Sequence, residues 1–270
     1  MSQYKQHVID YFNRRTAYDS EGNSHPYEAS KIIEFAPDIR DGQTVLDLAT
    51  GTGLVAVLAA KRAAPSGSVI GVDISAGMLS QARRKIGELG IENLEFVEAD
   101  IELINFESER FNIIFCCSAM MFIGDIPTLL NKCHDWLMPG GYIVFSTSAI
   151  TAYRADVQIK VYRDLFGIKF PHILEPLGTP EKCKKILEQS NFVDVEIEID
   201  RQGEYLLRGE YSIDVQWAED HASPHTGSLM KLTATQKEEL QSAYQQATSE
   251  LVTEKGFWSD RSLLFVKARK

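Results

Sequence analysis

Apolar residues recur along this chain with two periods that take turns. From Gln3 to Arg15, Tyr4, Val8, Tyr11 and Phe12 fall on one helical face. After the turn-rich stretch "TAYDSEGNSHPYEA" the helical period resumes in "ASKIIEFA". From Val45 onward, runs of strand length alternate with helical stripes. "TVLDLA", "SVIGVDI", "LEFVEAD", "RFNIIFCC" and "YIVFSTS" are predicted strands. Between them, Leu54–Ala64, the stripe Met78, Leu79, Ala82, Ile86 and Leu89, and Pro127–Met138 are predicted helices. Ser75 is placed to cap the second of these, Gly90 to close it, and "PGG" to stop the third. Beyond Ser148 the alternation loosens. Thr179 and Pro180 open a helix, Asn191 sits where that helix would end, and "NFVDVEIEI" is a sixth strand. About 60 residues then precede the last strand, "SLLFVKA". They hold a capping-box pattern, Thr235-x-x-Glu238, ahead of Leu240, Ala243, Tyr244, Ala247 and Leu251, with Gly256 as the stop.

Strand–helix alternation predicts an α/β fold, a Rossmann-like, mostly parallel sheet with helices on both faces. The 270 residues suffice for a single domain. Within it, 1–40 form an N-terminal helical cap, 41–150 the ligand-binding core and 151–258 the substrate-side segments with a helical insertion. Residues 259–270 form the last strand.

Composition narrows the function. Hydrophobic residues make up 44% and charged residues 24%, the balance of a globular protein, and the net charge is −10. A phosphate backbone would be repelled, so no nucleic-acid partner is expected. No apolar run reaches the length of a membrane span, and no basic-then-apolar leader opens the chain, so a cytoplasmic protein with no membrane partner is expected. Cys116, Cys117, Cys133 and Cys183 form no C-x-x-C pair and share no ligand spacing with histidines. They are expected as small buried apolar groups, with no metal. "HASPHTG", with His221 and His225, has neither helical context nor further ligands and is expected as a loop.

The candidate chemistry centres on "VLDLATGTG". Gly51-x-Gly53-x-x-Ala56 after a strand has the form of a dinucleotide turn, but Asp47 just before it is a poor neighbour for a pyrophosphate. A ligand carrying both a carboxylate and an ammonium reverses that objection. Its carboxylate can take N–H groups from the turn and its ammonium can meet Asp47. S-adenosylmethionine (SAM) has both groups and no phosphate. Asp73, at the end of the second strand, is placed to accept from both ribose hydroxyls, and Asp100, at the end of the third, from the adenine amine.

"VLDLATGTG", "VIGVDIS", "FVEAD" and "LMPGGYIVF", in this order and spacing, resemble class I SAM-dependent methyltransferases, in particular the small-molecule group that includes the ubiquinone and menaquinone C-methyltransferases. The resemblance is strong over about residues 40 to 150. It implies a seven-stranded sheet with an antiparallel last strand, SAM as cofactor and S-adenosylhomocysteine (SAH) as product. The cofactor would be held by Tyr18, Asp47, Ala49, Thr50, Gly51, Gly53, Asp73, Ile74, Met78, Asp100, Ile101, Cys117 and Ser118. Tyr11, His25, Met120, Phe122 and His172 would line the acceptor site, His25 and His172 being the candidate bases. Ala49 replaces the first glycine of the family's turn, and Asn112 stands where "FD" is usual, a change expected to matter for folding. The expected acceptor is a small, partly hydrophobic molecule methylated on O, N or C. Arsenite is disfavoured by the core placement of the cysteines. A monomer or homodimer is expected. An NAD(P)-dependent oxidoreductase and a non-catalytic SAM-binding protein are the alternatives.

Overall fold

A computed structural model of the chain describes residues 3–20, 24–167, 172–207 and 232–270. Seven strands form the main sheet: β1 (Thr44–Leu48), β2 (Ser68–Asp73), β3 (Leu94–Glu98), β4 (Phe111–Cys116), β5 (Leu137–Ser148), β6 (Val193–Asp200) and β9 (Leu263–Arg269). Their order is β3-β2-β1-β4-β5-β9-β6, and the last strand of the chain runs antiparallel, as expected. β1 pairs in parallel with β2 on one side and β4 on the other, and β2 pairs in parallel with β3. Chain order therefore reverses between β1 and β4, the place where open α/β sheets leave a crevice at their carboxyl ends.

The chain divides into two compact units. One comprises Met1–Thr147, Cys183–Glu198 and Phe265–Lys270; the other comprises Ser148–Lys182 and Ile199–Leu264. In the first, Val45, Leu46 and Leu48 are fully buried, which is why β1 reads as an unbroken apolar run. α3 (Leu54–Ala63) buries Ala56, Ala59, Ala60 and Ala63, side chains small enough for close approach of a helix to a sheet. α4 (Ala76–Leu89) starts and ends where expected: the Ser75 hydroxyl accepts from the Met78 N–H, and Gly90 closes it at φ +65. Asn112 has the folding role expected of it, since its side-chain oxygen accepts the Thr44 N–H at the start of β1. α1 (Gln3–Asn13) and α2 (Ser24–Phe35) are the two N-terminal helices, and α7 (Pro180–Gln189) leads to Asn191, left-handed at φ +64.

Three boundaries differ from expectation. α1 ends at Asn13 rather than Arg15, because the Asn13 side chain leaves the helix to accept the Ser75 hydroxyl and the Gly77 N–H. α5 (Ile126–Trp136) starts at the Asp125 cap and ends before "PGG", which instead lies within β5 as an irregularity between the pairs Phe111–Leu137 and Ile113–Tyr142. α8 (Ala234–Ser249) is boxed by Thr233 and Gln236, not by Thr235 and Glu238. The two boxes overlap, and the earlier one adds two residues to the helix. Gly256 lies beyond α8 in a tight turn bridged to Thr253.

The second unit holds elements the periodicity did not announce. α6 (Ala155–Phe166) packs on α8 through Val161, Tyr162, Leu240 and Tyr244. β7 (Gly203–Leu206) pairs antiparallel with β8 (Phe257–Asp260), with the Tyr205 and Trp258 rings 5.0 Å apart. Both strands have only four residues, too short for a legible alternation. Among the described residues no helix is long and apolar enough to cross a membrane. His221 and His225 lie outside the described residues, as do Gly22 and Asn23 of the first turn-rich stretch.

Ala49 follows β1 at φ +53, in the left-handed region that disfavours residues with a Cβ. Ala49→Gly relieves that strain but frees the unfolded chain, so a net stabilisation of up to about 1 kcal/mol is expected. Urea denaturation reads it as a higher midpoint at unchanged slope; a lower midpoint would show the alanine to be unstrained.

Candidate active site

The turn between β1 and α3 directs its N–H groups inward. Thr50 donates to the Val72 carbonyl at 2.9 Å, Gly51 to Asp73 Oδ2 at 2.8 Å and Gly53 to the Thr50 carbonyl at 2.8 Å. This corrects the expectation that the turn offers its N–H groups to a ligand carboxylate: as folded, these three are already taken. What the turn offers instead is room. A Cβ built on Gly51, at φ +57, meets nothing within 4 Å, whereas one on Gly53 would strike the Phe96 ring at 2.7 Å. Gly51 thus borders open space and Gly53 serves packing.

That space is a cleft of about 790 Å³ when the open solvent at its mouth is included. Tyr18, Ala49, Gly51, Asp73, Ile74, Met78, Asp100, Ile101, Cys117, Ser118 and Phe122 line it. Asp73 Oδ1 accepts the Ser75 N–H and Oδ2 the Gly51 N–H, and the Ile74 N–H also donates to the carboxylate, which leaves part of its acceptor capacity for a hydroxyl donor. Burial raises its pKa, opposed by the N–H groups of Ser75, Gly51 and Ile74. Asp100 accepts the Glu102 N–H and an ion pair from Lys5, whose ammonium also lies 2.8 Å from Glu102.

α1 forms one wall of this cleft. Tyr4, Lys5, Val8 and Phe12 line it, and the Tyr4 hydroxyl donates to the Phe122 carbonyl at 2.9 Å. The apolar stripe Tyr4, Val8 and Phe12 was legible as a helical face; the pairing of Lys5 with Asp100 and Glu102 was not, since no spacing announces a partner 95 residues away.

A second, smaller cavity adjoins the first. Tyr18, Ala49, Gly51, Cys117 and Ser118 line both, while His25, Glu28, Asp47 and Thr50 belong to the smaller one alone. Asp47 is only 1% exposed. Its carboxylate accepts the Thr50 hydroxyl and the Ala56 N–H. Burial raises its pKa to about 7, opposed by those two donors and reinforced by the charge of Asp73. The His25 ring stacks on Tyr18 at 4.0 Å, 12° from parallel. Burial, then the charge of Glu28, pushes the Cys117 thiol well up, so it stays protonated.

Glu28 was missed by sequence reasoning, being one of several polar residues on an N-terminal helix. It is 5% exposed, and its Oε1 accepts from both Ser118 and Ser146, at 2.5 and 2.7 Å. Of the expected acceptor residues, Phe122 borders the main cleft and His25 the smaller cavity. Tyr11 and Met120 border neither: Tyr11 packs edge-on against Phe12, and Met120 is fully buried. His172 belongs to the second unit, where its Nδ1 accepts the Leu174 N–H. No cluster of three or more metal-ligating side chains occurs among the described residues.

Residues 39–191 match the family model described as "Methyltransferase domain". An arsenite methyltransferase of Halobacterium salinarum is 31% identical over 157 residues, 58% of this chain and 39% of that protein. A demethylmenaquinone methyltransferase of Lactococcus lactis is 30% identical over 138 residues, 51% of this chain and 52% of that protein. The chain therefore spans about half or less of the length of these relatives. Among solved structures, phosphoethanolamine N-methyltransferase 2 of Haemonchus contortus, in complex with S-adenosyl-L-methionine, shares the fold. Its TM-score is 0.57 at 18% identity, covering 100% of this chain and 60% of that one.

Proposed function

The chain belongs to the methyltransferase-domain family, and from that premise we propose that it uses SAM to methylate a small, partly apolar acceptor. The observation that carries the reading is the inward commitment of the turn's N–H groups together with carboxylates around the cleft. A pyrophosphate would meet Asp73, Asp100 and Glu102 there, with Lys5 the sole lysine or arginine among the lining residues and already paired to two of them. A ligand with ribose hydroxyls, an adenine amine and an ammonium finds acceptors instead.

The residues fit SAM in three ways. Gly51 leaves space that any side chain would fill. Asp73 retains acceptor capacity for a hydroxyl beyond its three backbone N–H donors. Asp47, the buried acid of the smaller cavity, suits a cationic amino group. When bound, SAM supplies a methyl group made electrophilic by its sulfonium. What the chain supplies is placement: α1 walls the cleft, and Phe12 and Phe122 pack edge-on at 5.8 Å beside it. Orientation of this kind can lower a barrier by roughly 7–11 kcal/mol without any diagnostic base.

Three cysteines are fully buried and Cys117 is held as a thiol, so the soft thiolate set that arsenite would need is not assembled. An organic acceptor is the reading that remains. A net charge of −10 opposes phosphate backbones and anionic membrane surfaces, which supports action on a dissolved small molecule. Calorimetry with SAM, SAH and NAD, followed by labelled methyl transfer to a panel of acceptors, tests the proposal. Micromolar SAM and SAH binding without NAD binding is expected; the reverse would overturn it in favour of an oxidoreductase. SAM binding without transfer to any acceptor would favour a non-catalytic binding protein.

A further inference from the structure

Glu28 has more acceptor capacity than the fold uses. Both serine hydroxyls donate to Oε1, and no group among the described residues donates to Oε2, although the side chain is nine-tenths buried and borders the smaller cavity. Burial raises its pKa, opposed only by the two hydroxyls. No lysine or arginine lines that cavity, and His25 is the one basic side chain among its lining residues. The Glu28 partner Ser118 lines both cavities. Oε1 is therefore one hydrogen bond from a residue at the seam where the two spaces meet, and Glu28 itself borders the smaller of them.

Oε2 is not one of the buried side-chain atoms left without a partner, so this oxygen keeps some access and can take a donor that enters the cavity. We propose that Glu28 Oε2 is the group that recognises the acceptor, taking a hydrogen bond from the N–H or O–H of the atom to be methylated. The inference rests on the SAM-binding reading above. In the reaction, the acceptor's nitrogen or oxygen forms its bond to the methyl carbon and the carbon–sulfur pair returns to sulfur. The acceptor's proton passes to Oε2, leaving Glu28 neutral until solvent removes it. Ser118 and Ser146 fix Oε1, so the carboxylate cannot rotate away from its donor.

The test uses the SAH-loaded full chain and three probes of similar size measured by calorimetry: benzylamine, phenol and toluene. In the wild type, one of the two donor probes is expected to bind at least about tenfold more tightly than toluene, since a hydrogen bond to a buried charge is worth that much. Which of the two is preferred tells an amine acceptor from a hydroxyl one. In Glu28→Gln the amide oxygen can keep both serine hydroxyls, so the fold and SAH affinity should hold within about twofold. The amide NH₂, a donor, then faces the cavity, and the preference should fall below about twofold. Equal binding of all three probes by the wild type, or a preference that survives in Glu28→Gln, overturns the proposal while leaving the SAM reading intact. Loss of SAH affinity in the variant overturns it too, by assigning Glu28 to the cofactor's seat. Absence of SAH binding by the wild type overturns both readings.

Discussion

Gly51→Val is expected to weaken SAH binding by at least about a hundredfold. Two effects act together. At φ +57 a β-branched residue is in a region it almost never adopts, so the turn must shift. If the turn holds, the side chain projects into the open space beside Gly51 that the cofactor is proposed to fill. Asp73→Ala should cost less, about 1.5–3 kcal/mol, the usual worth of hydrogen bonds to a charged group. It removes the proposed ribose acceptor and also the anchor of the Gly51 N–H. Calorimetry below the melting temperature of each variant reads both. Wild-type affinity in folded Gly51→Val would place the cofactor elsewhere.

Asp47 should make both stability and cofactor affinity depend on pH, in opposite directions. Burial raises its pKa to about 7 in the fold, against about 3.8 for an exposed aspartate, so between the two the folded state holds a proton that the unfolded state has released. Between those values the unfolded chain binds fewer protons, and stability falls as pH rises from about 4 to about 7, then levels. Integrated over the full shift, the loss is on the order of 4 kcal/mol. An ammonium beside Asp47 favours the ionised form, so binding releases the proton. SAH affinity should therefore rise with pH toward about 7, with proton release visible as a buffer-dependent binding enthalpy. Asp47→Asn should remove both slopes. Buffer-independent enthalpies in the wild type near pH 6 would show that the ligand's cation does not meet Asp47.

Strand-end chemistry was the part of this protein most open to reading from sequence. A parallel register sets the ends of β1, β2 and β3 side by side, so Asp47, Asp73 and Asp100 could be grouped from strand position alone. Their individual tasks were less open. Asp47 was expected to face the ligand, and its burial follows from the Thr50 hydroxyl and the Ala56 N–H closing over it. Glu28 and Lys5 were missed because their partners are 90 and 95 residues distant, and nothing in a helix's own period records a contact at such range. β7 and β8 escaped because two four-residue strands reveal themselves only by pairing with each other.

The Asn13 side chain has one oxygen and two debts on it, accepting from the Ser75 hydroxyl and from the Gly77 N–H. Ser75 in turn caps α4 by accepting the Met78 N–H. The wall over the cleft is thus wired to the first turn of the helix that follows Asp73. α1 and the first turn of α4 share one set of hydrogen bonds, and a substitution at Asn13 is expected to loosen both ends of that link together.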